Sequence, residues 1–125
     1  MTRREQREQA FLLIYQNIFN QEVEKEDLTI WEYEENEFTT ALVSGVSEKA
    51  EELDLIIEKF LKGWTIKRLS SVSLAVLRMA VYEMKYLKTP ASVVINEAVE
   101  LTKSYSLAPD PSFVNGVLSS VEKSL

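Results

Sequence analysis

SSVSLAVLRMAVYEMKYL, residues 70–87, is apolar on every side when wound as a helix: Val72, Leu74, Ala75, Val76, Leu77, Met79, Ala80, Val81, Tyr82 and Met84 leave no face for water. A helix that is apolar all round must be enclosed all round. In a chain of 125 residues that requires one central helix wrapped by the others. Arg78 and Glu83 are the polar groups within it that need explanation. An arginine on such a helix is tolerated only when paired, and the expected partner of Arg78 is Glu97.

The flanking segments read as that wrapping. On the amino-terminal side a helix is expected from about Thr2 to Asn20, opened by Thr2 with Glu5 three residues on, a capping-box pattern. Phe11, Ile14, Tyr15, Ile18 and Phe19 follow on one face. Residues 21–36 are acidic, with Leu28, Ile30, Trp31 and Tyr33 as scattered anchors, and read as a connection with a short helical piece. A second helix is expected from Glu34 or Asn36 to Ser44, with Gly45 a break or a close contact. A third covers Ser47 to Leu61, with Gly63 as its stop signal. After the central helix, Pro90 opens a helix over Ala91–Tyr105. Asp110 then reads as an N-cap with Pro111 at the first helical position of the last helix, which ends near Lys123. Gly116 inside that helix costs about 1 kcal/mol relative to alanine, so close packing is expected there. The expectation is one all-α domain over residues 1–125, with six or seven helices and no strand.

Composition narrows the function. There is no cysteine and no histidine, which removes disulfides, thiol and imidazole nucleophiles, and the usual zinc, copper and haem ligands. Glu97 and Glu100 could in principle hold a metal or act as acid and base. With no matching carboxylate pair on another helix, the plainer reading has Glu100 supporting Lys103 and Glu97 answering a cation inside the bundle. No phosphate-cradling glycine loop or dinucleotide fingerprint occurs, so no cofactor, metal or enzymatic activity is expected. The first residues are too polar for a signal peptide and no apolar run approaches the ~20 residues that span a bilayer, so the expected compartment is the cytoplasm, with no membrane partner.

The net charge is −6, unevenly spread. Residues 21–58 carry thirteen acids against Lys25 and Lys49, whereas residues 59–125 carry nine cations against five acids. The acidic stretch suits a basic partner and the basic patches suit phosphate. Arg3, Arg4 and Arg7 project from the opening turns of the first helix, where cations oppose the helix dipole, an arrangement that makes sense if an anion is held nearby. The same triad serves equally well as a solvated helix end. Phe113 is either core or a ring on which a base stacks.

Taken in order, RREQREQAFLLIYQ, FTTALVSGVSE, LDLIIEKFL, LSSVSLAVLRMAVYEMKYL, TPASVVINEAVELTKSY and SFVNGVL resemble the NusB family along nearly the whole chain. The resemblance implies two perpendicular three-helix bundles around the buried helix. It also implies a transcription antitermination factor that binds single-stranded boxA RNA together with NusE, a basic ribosomal protein, and supports ribosomal RNA transcription within the RNA polymerase antitermination complex. The family's arginine-rich amino terminus falls on Arg3, Arg4 and Arg7, and its aromatic residue near the start of the last helix on Phe113; with Lys103 these make the expected RNA-binding set. Tyr15 matches a partner-contact tyrosine, and a partner-contact glutamate appears here as Ser73. Two other readings remain at this stage: a helical protein-binding scaffold or homodimer without RNA, and a carboxylate-metal enzyme built on Glu97 and Glu100.

Overall fold

The computed structural model describes residues 1–19 and 35–125, apart from the Phe19 side chain. It contains α1 (Arg3–Phe19), α2 (Glu37–Glu58), a 3-10 turn (Ile66–Arg68), α3 (Ser71–Lys85), α4 (Ala91–Tyr105) and α5 (Asp110–Ser124). No strand occurs among the described residues. The expected connection through residues 20–34, with its anchors Leu28, Ile30, Trp31 and Tyr33, lies outside them.

Enclosure of the central helix is confirmed. Ala75, Val76, Leu77 and Val81 of α3 are fully buried, and Leu74, Met79, Ala80 and Met84 nearly so. Each of the other four α-helices packs on it. α1 and α2 also pack on each other, as do α4 and α5, so two three-helix groups, α1–α2–α3 and α3–α4–α5, share one member. Around α3 the core is supplied by Ala10, Phe11 and Ile14 of α1, Leu42, Val46, Leu53 and Ile57 of α2, Val94, Ala98 and Leu101 of α4, and Val114, Val117, Leu118 and Val121 of α5. Their three- and four-residue spacings put each set on one helical face. Each fully buried aliphatic side chain stabilises the fold by about 1.5–3 kcal/mol relative to an exposed one.

Local signals set the helix starts. The Thr2 hydroxyl accepts from the Glu5 N–H at 3.1 Å while the Glu5 carboxylate accepts from the Thr2 N–H at 3.0 Å, the reciprocal pair the sequence announces. That backbone donor, then the Thr2 hydroxyl, holds the Glu5 carboxyl below its ordinary range. Asn36 caps α2 by accepting from Thr39 N–H at 2.8 Å, and Ser70 caps α3 by accepting from Ser73 N–H at 3.1 Å.

The structure decides between the two readings of Gly45 and changes those of Gly116 and Asp110. The helices expected on either side of Gly45 are one continuous helix of 22 residues. Gly45 answers a close approach: a Cβ there would sit 2.0 Å from the Tyr82 ring. A helical glycine keeps its hydrogen bonds, so removing the side chain admits the ring without ending the helix. Gly116 has nothing within 4 Å of where its Cβ would lie, so no close packing explains it. At α5 the cap position is Pro109, with Phe113 N–H bonded to Pro109 O at 3.1 Å, and Asp110 is already the first helical residue. Its carboxylate instead accepts from Ser106 at 2.6 Å and Ser70 at 2.9 Å, tying the starts of α3 and α5 together.

Candidate functional site

The opening turns of α1 lie beside α4, and the cations there have different fates. Arg7 does not project. Its guanidinium turns inward to Glu83 of α3, with Nε donating to both carboxylate oxygens at 3.0 and 3.1 Å and Nη2 donating at 2.6 Å. Both side chains are buried, at 8% and 1% exposure. The helical face that carries Phe11 and Ile14 into the core also carries residue 7, one turn back. Arg7 is therefore a structural cation that satisfies the charge on the central helix, and the expectation that it projects from α1 beside Arg3 and Arg4 is corrected.

The expected Arg78–Glu97 pair is likewise absent. Arg78 makes a two-pronged contact with Asp54 of α2, both distances 2.7 Å. Glu97 instead accepts from Arg4, Nε at 3.0 Å and Nη2 at 3.1 Å. Arg78 looks from α3 towards α2 while Glu97 looks from α4 towards α1, so the two belong to different helix seams.

Arg4 remains 63% exposed although paired. The hydrogen bonds Arg4 donates to Glu97, reinforced by that carboxylate's charge, raise the Arg4 pKa still further, so it is a cation at any working pH. Next along α4 is Glu100, 3.5 Å from the exposed Lys103. Arg3 lies with its guanidinium 4.1 Å from the Phe38 ring centroid and donates to Gln6 at 3.0 Å. A guanidinium on an aromatic face keeps its outer edge free for an anion. Tyr105, the last residue of α4, packs its ring 5.0 Å from Phe11 and donates its hydroxyl to Glu8 at 3.0 Å. Partial burial, then Glu8, pushes its phenol pKa up, so it stays a neutral donor. Arg4 and Tyr105 thus lie along one seam, with α1 and α4 running the same way: Arg4 meets Glu97, and Glu8 and Phe11 meet Tyr105. Arg3 is turned towards α2, and Lys103 is an exposed cation elsewhere on α4. Phe113 is half-buried against the core, one turn into α5.

The two partner residues separate as well. Tyr15 is half-buried, its ring 5.9 Å from that of Phe11. Ser73 is 1% exposed and its hydroxyl has no hydrogen-bond partner among the described residues, so it offers no surface to another protein. Tyr105 and Phe38 were not anticipated. Their roles come from contacts between helices distant in sequence, and no spacing along the chain signals them. Among the described residues no group of three or more carboxylates could hold a metal, and no helix is long and apolar enough to cross a membrane.

A model of the NusB family matches residues 4–123. The chain belongs to the NusB family. It is 45% identical to the transcription antitermination protein NusB of Acetivibrio thermocellus over 130 residues, covering 98% of this chain and 90% of that protein. Among solved structures, NusB of T. maritima superposes with a TM-score of 0.89 at 32% identity, covering 98% of this chain and 92% of that one. The antitermination factor NusB solved with NusE in complex with double-stranded RNA superposes with a TM-score of 0.85, also at 32% identity and over the full length of both chains. Membership places the chain among transcription antitermination factors, which are not enzymes, and confirms the all-helical NusB fold.

Proposed function

We propose that this NusB-family chain binds boxA-type RNA jointly with the basic ribosomal protein NusE, in the cytoplasm and as part of the antitermination assembly on RNA polymerase, using the α1–α4 seam for RNA. The observation that carries the reading is Arg4, still 63% exposed beside Glu97 on the α1–α4 seam, with Lys103 exposed further along α4, in a chain of net charge −6. Cations concentrated on one edge of an acidic molecule offer phosphate a local site that the overall field does not. Arg3 and the ring of Phe113 extend it. The exposed acids of α2, Glu37, Glu48, Glu51 and Glu58, give a basic partner a face of its own. The relative solved with NusE and double-stranded RNA supports joint binding of the two partners.

The test is a titration of single-stranded boxA-type RNA, with and without NusE, at several salt concentrations. Arg4→Ala with Lys103→Ala lowers the affinity and reduces the slope of log K against log salt by about 1.4, two phosphates at ~0.7 each, with helical content unchanged. Wild-type affinity in the double variant would remove the seam from the site. RNA binding that never occurs, with NusE bound normally, would leave a protein scaffold as the function.

A further inference from the structure

The stretch between α2 and α3, Lys59–Ser70 (KFLKGWTIKRLS), has a pattern that neither the fold nor the α1–α4 seam uses. Leu61 is buried and Ile66 and Leu69 half-buried, so the apolar side chains point inward and pin the segment down. Lys59, Lys62, Lys67 and Arg68 are all exposed. None of the four makes a side-chain hydrogen bond or ion pair among the described residues. Between them Trp64 holds its indole 54% exposed, with no ring or cation of the described residues stacked on it. No acid occurs from residue 59 to residue 82. Glu58 precedes the segment in the chain, and Asp110 is engaged by the hydroxyls of Ser106 and Ser70. The Ser70 contact also fixes where the segment lies. Its end abuts the α4–α5 turn, which carries Leu107 at 83% exposure and, just beyond, Phe113.

We propose that Lys59–Ser70 is a second RNA-contact surface, on which single-stranded RNA beyond the boxA-type element rests its phosphates on Lys62, Lys67 and Arg68 and stacks a base on Trp64. The proposal rests on the α1–α4 seam being an RNA site. Free cations alternating with an exposed flat ring match the phosphate-and-base repeat of an unpaired strand, a combination that binds with little sequence preference. A lipid surface fits less well. Interfacial anchoring needs a broad apolar face, and here the segment's own aliphatic side chains, Leu61, Ile66 and Leu69, are turned into the core.

The experiment compares a boxA-type core oligonucleotide with the same core carrying about ten unpaired nucleotides on either end, a length within the usual site range, titrated into the full chain with NusE present. The extended RNA binds tighter than the core. Lys67→Ala with Arg68→Ala cancels that gain and lowers the salt slope for the extended RNA by about 1.4. Trp64→Ala weakens the extended RNA about tenfold and Trp64→Phe much less, since a smaller ring still stacks. All variants bind the core as wild type does, and circular dichroism shows them folded. If the core binds but extension adds nothing, or the variants keep the gain, the second surface is refuted while the seam stands. If the core itself does not bind, both fail. Sedimentation with phosphatidylserine vesicles that depends on Trp64, while the gain on extension survives Trp64→Ala, would replace RNA with a lipid surface and overturn the proposal.

Discussion

Replacing Arg7 by methionine strips the buried Glu83 carboxylate, 1% exposed, of three hydrogen bonds and its counter-charge. Breaking a buried ion pair on one side costs about 3–5 kcal/mol, because the remaining charge is neither solvated nor paired. Against the ~5–15 kcal/mol that typically holds a domain together, that is a large fraction. For a chain of this length about 1 kcal/mol moves the melting temperature by roughly 3–5 °C, so Arg7→Met falls by about 10–20 °C. Glu83→Leu falls by a comparable amount, since it leaves the buried guanidinium uncompensated. Arg7→Met with Glu83→Leu recovers most or all of the loss, since apolar replacement of a whole buried pair is often neutral or stabilising. The assay is thermal and urea unfolding followed by circular dichroism for all four proteins, closing a double-mutant cycle. An unchanged melting temperature in Arg7→Met, or a double variant whose loss equals the sum of the singles, would refute the structural role. RNA affinity supplies the complementary readout: in the folded double variant the salt slope matches wild type, because Arg7 faces no phosphate.

Gly116→Ala stabilises the chain by about 0.5–1 kcal/mol, since its Cβ meets nothing and helix propensity alone decides; a loss in urea unfolding would reveal a contact at that face. Gly45→Ala destabilises by about 1 kcal/mol despite the same propensity gain, because the Tyr82 ring must move. In a Tyr82→Leu background the sign reverses, and persistence of the loss there would contradict the contact. The Ser106 hydroxyl, then that of Ser70, holds the Asp110 carboxyl below its ordinary value of 3.8. The ionised form therefore contributes stability that is complete above that value and is lost as pH falls through the lower folded-state value. Asp110→Asn is less stable than wild type at neutral pH, and the gap narrows towards about pH 3; a gap that does not change with pH would remove the carboxylate from the account.

How much was legible follows from the range over which each signal acts. Enclosure of α3 was readable because ten apolar residues on all faces of one helix admit no other solution. The Thr2–Glu5 box and the bounds of α4, Ala91–Tyr105, were readable because capping and proline act within a few residues. The partners of Arg78, Glu97 and Arg7 were not. Each lies on a different helix, and the choice among Asp54, Glu83 and Glu97 depends on how α3 is rotated against its neighbours, which a periodicity does not encode. Gly45 stayed open between a break and a close contact for a related reason: a glycine that ends a helix and one that admits a neighbouring ring look identical until Tyr82 is placed. The arginine cluster marked the right end of the right helix, but only the structure separates the outward Arg4 from the inward Arg7.

Because one helix belongs to both three-helix groups, neither half has a complete interior without it. α1 and α2 would face water where α3 now lies, and so would α4 and α5. Opening either half on its own exposes a flank of α3, so partial unfolding gains little chain freedom for the apolar area it uncovers. The backbone amides of Ala75–Val81 are thereby expected to exchange with deuterium only through complete unfolding, at the global free energy, while those at the outer ends of α1 and α5 exchange through local fraying.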